Sequence, residues 1–508
     1  ARSAVVSAER ELQALQAARP GVSARVFVSE AFRRWMSEAS VREGVHREAV
    51  RAEAQAQSEL EAAAQRQKGF AEDLGLTNAQ LETAQREVES LGAQLREAYA
   101  RIGDRFVDES FFDRGHEAWN LAVPWLDDQI HLQREKLFVA ALDVHKAFVT
   151  VAAHKMEHNL GVLMAALQSG TFPDAARRQL LPDLWSSLFL VVPVVSTTFA
   201  SVHRMLGDLP AASFGWLLVD EAGQATPQAA VGAILRARRA VIVGDTLQIP
   251  PVVTIPENLV NQISLQQRVD RSLWCAPQAS VQTLADSAST LQARFRTPEG
   301  TRTVGLPLLV RRRLQEPMFG VSNAIAYDNR MVPAMGPDSV GDVADILGPS
   351  AWFDPDTSST ASAPKWSAEE GQVVMRMLRK LARAGVQNPD IYVICPFRVV
   401  AQEMRLLLRA EPQLFELFGV DARKWLDERV GTIHTFQGKE AEAVIAVLGA
   451  PMAGEKNARQ WAGGVPNILN VMASRAKSRL YVVGSRTAWG SVGHFAELAR
   501  QVPKRTFG

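Results

Sequence analysis

The chain reads as an α/β protein with parallel sheets and a long helical insertion. Three observations predict this class. From about Val41 to Arg101 the composition turns to Ala, Glu, Gln and Arg with no proline, which favours long solvated helix. After Pro182, short apolar runs closed by small or polar residues follow one another, as in buried parallel strands whose chemistry sits at their ends. At 508 residues and 47% hydrophobic, the chain exceeds a single compact core and should divide into about three units.

The elements follow in order. Leu81, Ala84, Val88, Leu91, Leu95 and Ala98 recur at alternating steps of three and four, the spacing of a coiled-coil seam. A stalk or hairpin packed on itself over about 41–101 is expected. From Ala118 to about Ser169 a second helical stretch carries Trp119, Trp125, Leu137, Phe138, Leu142 and Phe148, and its aromatic content predicts greater burial than the stalk. The predicted strands are Phe189–Val195, Trp216–Val219, Ala240–Val243, Ile391–Ile394, Ala443–Leu448 and Leu480–Val483. Between the second and third, Thr226 is a candidate helix cap with Pro227 at the first helical position. That makes a strand-helix-strand unit, with Asp220, Glu221 and Asp245 at the carboxyl ends where such units place ligands. Gly336–Lys365 is rich in Gly, Pro, Ser, Thr and Asp and reads as a surface loop.

Composition narrows the function classes. Cys275 and Cys395 lack the paired spacing of a zinc site or a disulfide framework, so a reducing, cytoplasmic setting is expected. The longest strongly apolar stretch, Leu188–Val195, is too short to cross a bilayer, and no membrane association is expected. The net charge of +1 does not by itself point to nucleic acid.

The strand-end residues carry the chemistry. Val219-Asp220-Glu221-Ala222-Gly223-Gln224-Ala225 is followed by Val243-Gly244-Asp245-Thr246-Leu247-Gln248-Ile249-Pro250-Pro251. Upstream lies Val195-Ser196-Thr197-Thr198-Phe199-Ala200. Downstream come Arg313-Leu314-Gln315-Glu316-Pro317-Met318, then Ile391–Phe397. Val430-Gly431-Thr432-Ile433-His434-Thr435-Phe436-Gln437-Gly438-Lys439-Glu440 and Asn470-Val471-Met472-Ala473-Ser474-Arg475-Ala476-Lys477 complete the series. In this order the segments resemble the ordered motifs of superfamily 1 helicases, with the closest likeness to the 1B branch of the nonsense-mediated-decay helicase. The resemblance runs from about Leu184 to Gly484.

That resemblance implies two RecA-like domains, with ATP and magnesium in the cleft between them and single-stranded nucleic acid, DNA or RNA, moving 5′-to-3′ across the top. Residues 1–168 would be the helical insertion, 169–298 the rest of the first RecA-like domain and 299–508 the second. Asp220 is placed at the magnesium ion and Glu221 at the attacking water, a division of labour that paired carboxylates suit. Gln248 is placed as sensor of the terminal phosphate. Arg313 and Arg475 are candidates to stabilise the charge of phosphoryl transfer, where an inserted arginine contributes about three to five powers of ten. Gly438 and Glu440 are placed beside the nucleotide, Glu440 near the ribose. Arg312 stands where relatives stack an aromatic residue on adenine, a contact a guanidinium plane can also make. Ser196, Thr197, Thr198, Thr432, His434 and Thr435 are placed at the nucleic-acid backbone, contacts that carry no sequence information.

The family's phosphate loop, with its Gly-Lys-Ser/Thr, occurs nowhere in the 508 residues. It is expected upstream of Ala1, the first RecA-like domain being incomplete, and the chain alone is not expected to hydrolyse ATP efficiently. The competing expectation is a non-hydrolysing scaffold that binds nucleic acid and recruits a protein partner through its coiled coil.

Overall fold

The computed structural model describes residues 1–26, 29–169, 178–297, 300–334, 341–357, 363–436 and 438–507. It divides into two compact units, Ala1–Val107 and Asp108–Gly508.

The first unit is helical. Glu30–Ile102 is one helix of 73 residues, about 110 Å long at 1.5 Å per residue. Ser29 caps it by accepting from Phe32 N at 3.3 Å, Glu30 and Arg101 sit at the ends that suit the helix dipole, and Gly103 at φ 59° stops it. The helix Arg2–Ala17 lies against it, pinned where Trp35 Nε1 donates to Leu15 O at 2.8 Å. The long helix fully buries no residue, and the predicted seam at Leu81, Val88, Leu91 and Leu95 faces solvent. The expected self-packing is seen only at the start of 41–101, where Arg42 Nη1 donates to Glu11 O at 3.3 Å; Arg2–Ala17 has too few residues to reach the seam at Leu81–Leu95.

In the second unit the helices Asp128–Val151 and Ala153–Ser169 follow one another with a bend of 82°. Among the described residues no single helix is long and apolar enough to cross a membrane; this bent pair passes that test only when taken together. The stretch is more buried than the long helix only near its end, at Met156 and Leu163, and not at its aromatic residues. Phe138 is 64% exposed, and Trp125, Leu137, Leu142 and Phe148 are exposed too; packing, not aromatic content, decides burial. Leu163 instead joins Leu181, Leu184, Trp185 and Leu209 in a small core.

The predicted strand Phe189–Val195 is corrected. Leu181–Val191 is helix, with Pro182 in its first turn and Leu181, Leu184 and Trp185 buried at helical spacing. Val192–Val195 run on as irregular chain and are not paired in a sheet. The strand-helix-strand unit does form: β1 (Leu217–Val219) pairs in parallel with β2 (Ala240–Ile242). Between them Pro227–Ala230 is a single 3₁₀ turn leading into the helix Val231–Leu235, and Thr226 makes no side-chain cap. Val219 packs with Ala222, Ala230 and Val281, whereas Leu218 and Val241, one residue along in each strand, are exposed.

An antiparallel hairpin, β3 (Ala293–Thr297) with β4 (Gly300–Val304), and a short parallel pair, β5 (Val310–Arg311) with β6 (Val332–Pro333), lead to the main sheet. Its strands are β7 (Ala351–Phe353), β8 (Ile391–Cys395), β9 (Val430–Thr432), β10 (Ala441–Val447), β11 (Ala476–Val483) and β12 (Lys504–Arg505), all parallel in the order β12-β7-β11-β10-β8-β9. Of its inner strands, β8 is buried throughout, β10 everywhere but Glu442 and β11 everywhere but Lys477 and Arg479, as covering on both faces requires. Trp352, Tyr481, Phe436 and Trp489 fill the core. The expected loop Gly336–Lys365 lies partly outside the described residues; its described part includes the helix Asp342–Leu347 and β7, because Val343, Leu347, Trp352 and Phe353 are apolar enough to be drawn into the core.

Candidate nucleotide site and nucleic-acid interface

The turns after β1 and β2 meet backbone to backbone. Ala222 N donates to Val243 O at 2.9 Å, and Val243 N to Val219 O at 2.8 Å. A Cβ at Gly244 would fall 2.6 Å from Gly223 N and 2.7 Å from Ala222 N, and one at Gly223 would fall 2.6 Å from Asp245 O. Only glycine at both positions allows this approach. Glu221 adopts a left-handed φ of 54°, a strained conformation that clusters at functional sites. Its N–H donates to Asp220 Oδ1 at 2.9 Å, and its Oε2 accepts from Gln224 Nε2 at 2.8 Å. Asp220 is exposed just past the strand end.

The second turn is held by the other half of the unit. Asp245 Oδ1 accepts from Leu247 N at 2.9 Å and Oδ2 from Gln248 Nε2 at 3.3 Å. The Tyr327 hydroxyl also donates to Asp245. Asn470 Nδ2 donates to Leu247 O and to Tyr327 Oη, both at 2.9 Å, and Asn467 donates to Gln248 O. Burial, and then the Asp245 carboxylate, push the Tyr327 phenol well above its ordinary pKa, so it remains a donor. Arg311 lies over its ring at 5.0 Å. Tyr327, Arg311 and Asn467 were missed in the sequence, where none stands out by type or spacing.

Arg475 reaches the same turn. Its Nη2 donates to Gln248 Oε1 at 3.3 Å and its Nη1 to Lys439 O at 3.0 Å. The residue is 8% exposed, its Nε has no partner, and no carboxylate of the described residues forms an ion pair with it. Burial lowers its pKa, opposed by the charges of Glu221 and Glu440. Gly438, at φ 73°, brings its backbone beside Glu221: a Cβ there would lie 3.8 Å from Glu221 Oε1. Glu221, Gln248, Gly438 and Arg475 are thus assembled in one place; Gln437 lies outside the described residues.

Arg313 is linked to this group through Glu440, whose charge acts on Arg475. Its side chain is 78% exposed and pairs with Glu440 at 3.2 Å, so two of the residues expected at the nucleotide meet each other. Arg312 is exposed alongside.

A nucleotide and magnesium fit the residues present. A buried guanidinium without a carboxylate partner suits an anion. The described residues contain no group of three or more metal-ligating side chains; magnesium held with a nucleotide needs only one or two carboxylates, the rest being water and phosphate. Asp220 is so placed.

On the nucleic-acid side, Ser196, Thr197 and Thr198 are exposed on irregular chain, with Thr197 Oγ1 donating to Met205 Sδ at 3.1 Å. Thr432 ends β9, and His434 and Thr435 lie in the 3₁₀ turn Ile433–Thr435. Desolvation of the His434 ring, with Arg398 nearby, lowers its pKa and keeps it neutral at pH 7. Among the described residues no hydrogen bond joins these two groups.

Two family models, both described as AAA domain, match residues 176–255 and 312–487. The DNA replication ATP-dependent helicase/nuclease JHS1 of Arabidopsis thaliana is 22% identical over 338 residues, covering 62% of this chain and 22% of that protein. The helicase/nuclease DNA2 of Mus musculus is 24% identical over 313 residues, covering 58% and 26%, and that of Saccharomyces cerevisiae 22% over 387 residues, covering 72% and 24%. The chain spans about a quarter of the length of these curated relatives. The solved arterivirus nonstructural protein 10 helicase aligns at 16% identity, with a TM-score of 0.24 over 54% of this chain and 40% of that one, too low for the fold to rest on it. The motifs on either side of the joined turns fall within the two matched regions, and the chain belongs to the superfamily 1 helicases.

Proposed function

We propose that the chain is part of an ATP-dependent helicase or translocase of the 1B branch, moving 5′-to-3′ on single-stranded nucleic acid and hydrolysing ATP between two RecA-like halves. The observation that carries this reading is the Arg475–Gln248 hydrogen bond, formed within electrostatic reach of Glu221. Asp220 holds the magnesium ion, which supplies charge neutralisation on the phosphate oxygens when bound. Glu221 takes the proton of the attacking water. Gln248, tied to Asp245 on one side and Arg475 on the other, registers the terminal phosphate. Arg475, whose charge has no carboxylate partner, balances the charge that develops on transfer. Arg313, paired with Glu440, is the second candidate to balance that charge.

The exposed residues Leu218 and Val241, on a parallel pair that would ordinarily be covered on both faces, support an upstream segment that completes the first domain and brings the phosphate loop. The relatives' names, which speak of DNA replication, favour DNA as the strand. The exposed seam of the long helix supports a protein partner there, and the two free cysteines accord with a cytoplasmic setting.

The test is ATPase activity of the protein extended through its upstream reading frame, with and without single-stranded DNA or RNA. Strand-stimulated turnover, abolished by Glu221→Gln with nucleotide binding retained, is expected. Undiminished turnover in Glu221→Gln would remove the catalytic assignment, and no turnover in the extended wild type would favour the non-hydrolysing scaffold.

A further inference from the structure

Away from the nucleotide residues, a second pocket opens at the carboxyl ends of two neighbouring strands. β8 runs into Pro396 and Phe397, where the helix Arg398–Arg409 begins, and β9 ends at Thr432 before the turn that carries His434. The helix Lys456–Gly463 brings Trp461 over this corner, and Lys365 closes it. The cavity so enclosed is about 510 Å³, within the range of small-ligand sites.

Its floor is fixed and its wall is free. Phe397 is buried, packed 6.3 Å from the Trp489 ring and lying under the Lys365 ammonium at 5.3 Å. Trp461 sits 6.0 Å from Phe397 at 34°, yet is 62% exposed. A tryptophan that the core does not need, held against a rigid aromatic floor, is an anchor for something outside the protein. Lys365, Arg398 and His434 line the pocket, and no carboxylate does. The adjacent acid, Glu455, is turned to the backbone, where its Oε1 accepts from Lys365 N at 2.6 Å.

We propose that this pocket receives one base of the bound single strand: Trp461 stacks on the base, and Arg398 and Lys365 meet the phosphates beside it. An aromatic face with a basic, carboxylate-free rim is the combination that holds single-stranded nucleic acid irrespective of sequence. The inference rests on the nucleic-acid reading above and adds a base contact to a surface otherwise given only to the backbone. It also supplies a route to the nucleotide residues. Thr432 and His434 line the pocket at one end of a segment whose other end presents the Lys439 carbonyl to Arg475.

The test measures binding of the 508-residue chain to labelled oligothymidylate and to an abasic strand of the same length. Trp461→Ala is expected to weaken oligothymidylate binding about tenfold or more, Trp461→Phe to keep most of the affinity, and the abasic strand to bind wild type and Trp461→Ala alike. Oligothymidylate binding unchanged in Trp461→Ala, or weakened equally for both strands, overturns the base pocket and leaves the nucleic-acid reading intact. A wild-type chain that binds neither strand overturns both.

Discussion

The Tyr327 hydroxyl is shared by two parts of the nucleotide site: it donates to Asp245 and accepts from Asn470. Replacing it with Phe leaves buried polar groups short of a partner, at a cost of about 1–3 kcal/mol. Tyr327→Phe should lower the urea midpoint accordingly. In the extended protein it should lower kcat more than it raises KM, because the turn bearing Gln248 loses its brace. Glu370 offers a separate test. It is wholly buried, its Oε2 accepts from Gly449 N at 2.8 Å, and its Oε1 has no partner. Burial first, with Glu369, Glu455 and Asp354 adding, pushes it from the usual 4.5 up to about 8. Between those values the folded state holds the proton and the unfolded state has lost it. The stabilising contribution is therefore complete below about pH 4.5 and declines as pH rises to about 8. Wild-type thermal midpoints should fall relative to Glu370→Gln across that window; parallel profiles would show that Glu370 titrates normally.

At the level of elements, the two turns at the ends of β1 and β2 touch because Gly223 and Gly244 have no side chains. A Cβ at Gly244 would meet backbone nitrogen, which has little room to yield. Gly244→Ala should cost about 1–3 kcal/mol, as overpacking does, and should reduce strand-stimulated turnover in the extended protein by parting Glu221 from Gln248. The long helix behaves in the opposite way. Its seam residues are exposed, so Val88→Glu and Leu91→Glu together should leave the thermal midpoint of the chain nearly unchanged, within about 0.5 kcal/mol per site. A marked drop would reveal a packed partner on that seam. The long helix was legible over about 41–101, where composition favours it, but not in its start at Glu30 behind the Ser29 cap. Phe189–Val195 was not legible, because an apolar run of that length suits a strand and a helix end equally, and Trp185 and Leu184 decided for the helix by burying their side chains.

For the molecule as a whole, the proposed division of the ATP site predicts that the 508-residue chain turns over ATP at the buffer background, with or without single strands. Adding the upstream segment in the same polypeptide should restore turnover; steady hydrolysis by the chain alone would require another phosphate-binding element within it. The class of fold, the order of the motifs and the strand-end positions of Asp220 and Glu221 could be read from the sequence. They could because parallel strands deliver residues to their carboxyl ends, so local pattern and position in the site coincide. Tertiary structure alone decided that Arg313 pairs with Glu440, that Tyr327 braces Asp245 from 82 positions away, and that Trp461 stands over Phe397. Each of these is a contact between segments far apart along the chain. Which partner a side chain meets there is fixed by how sheets and helices pack, a property that no stretch of sequence carries by itself.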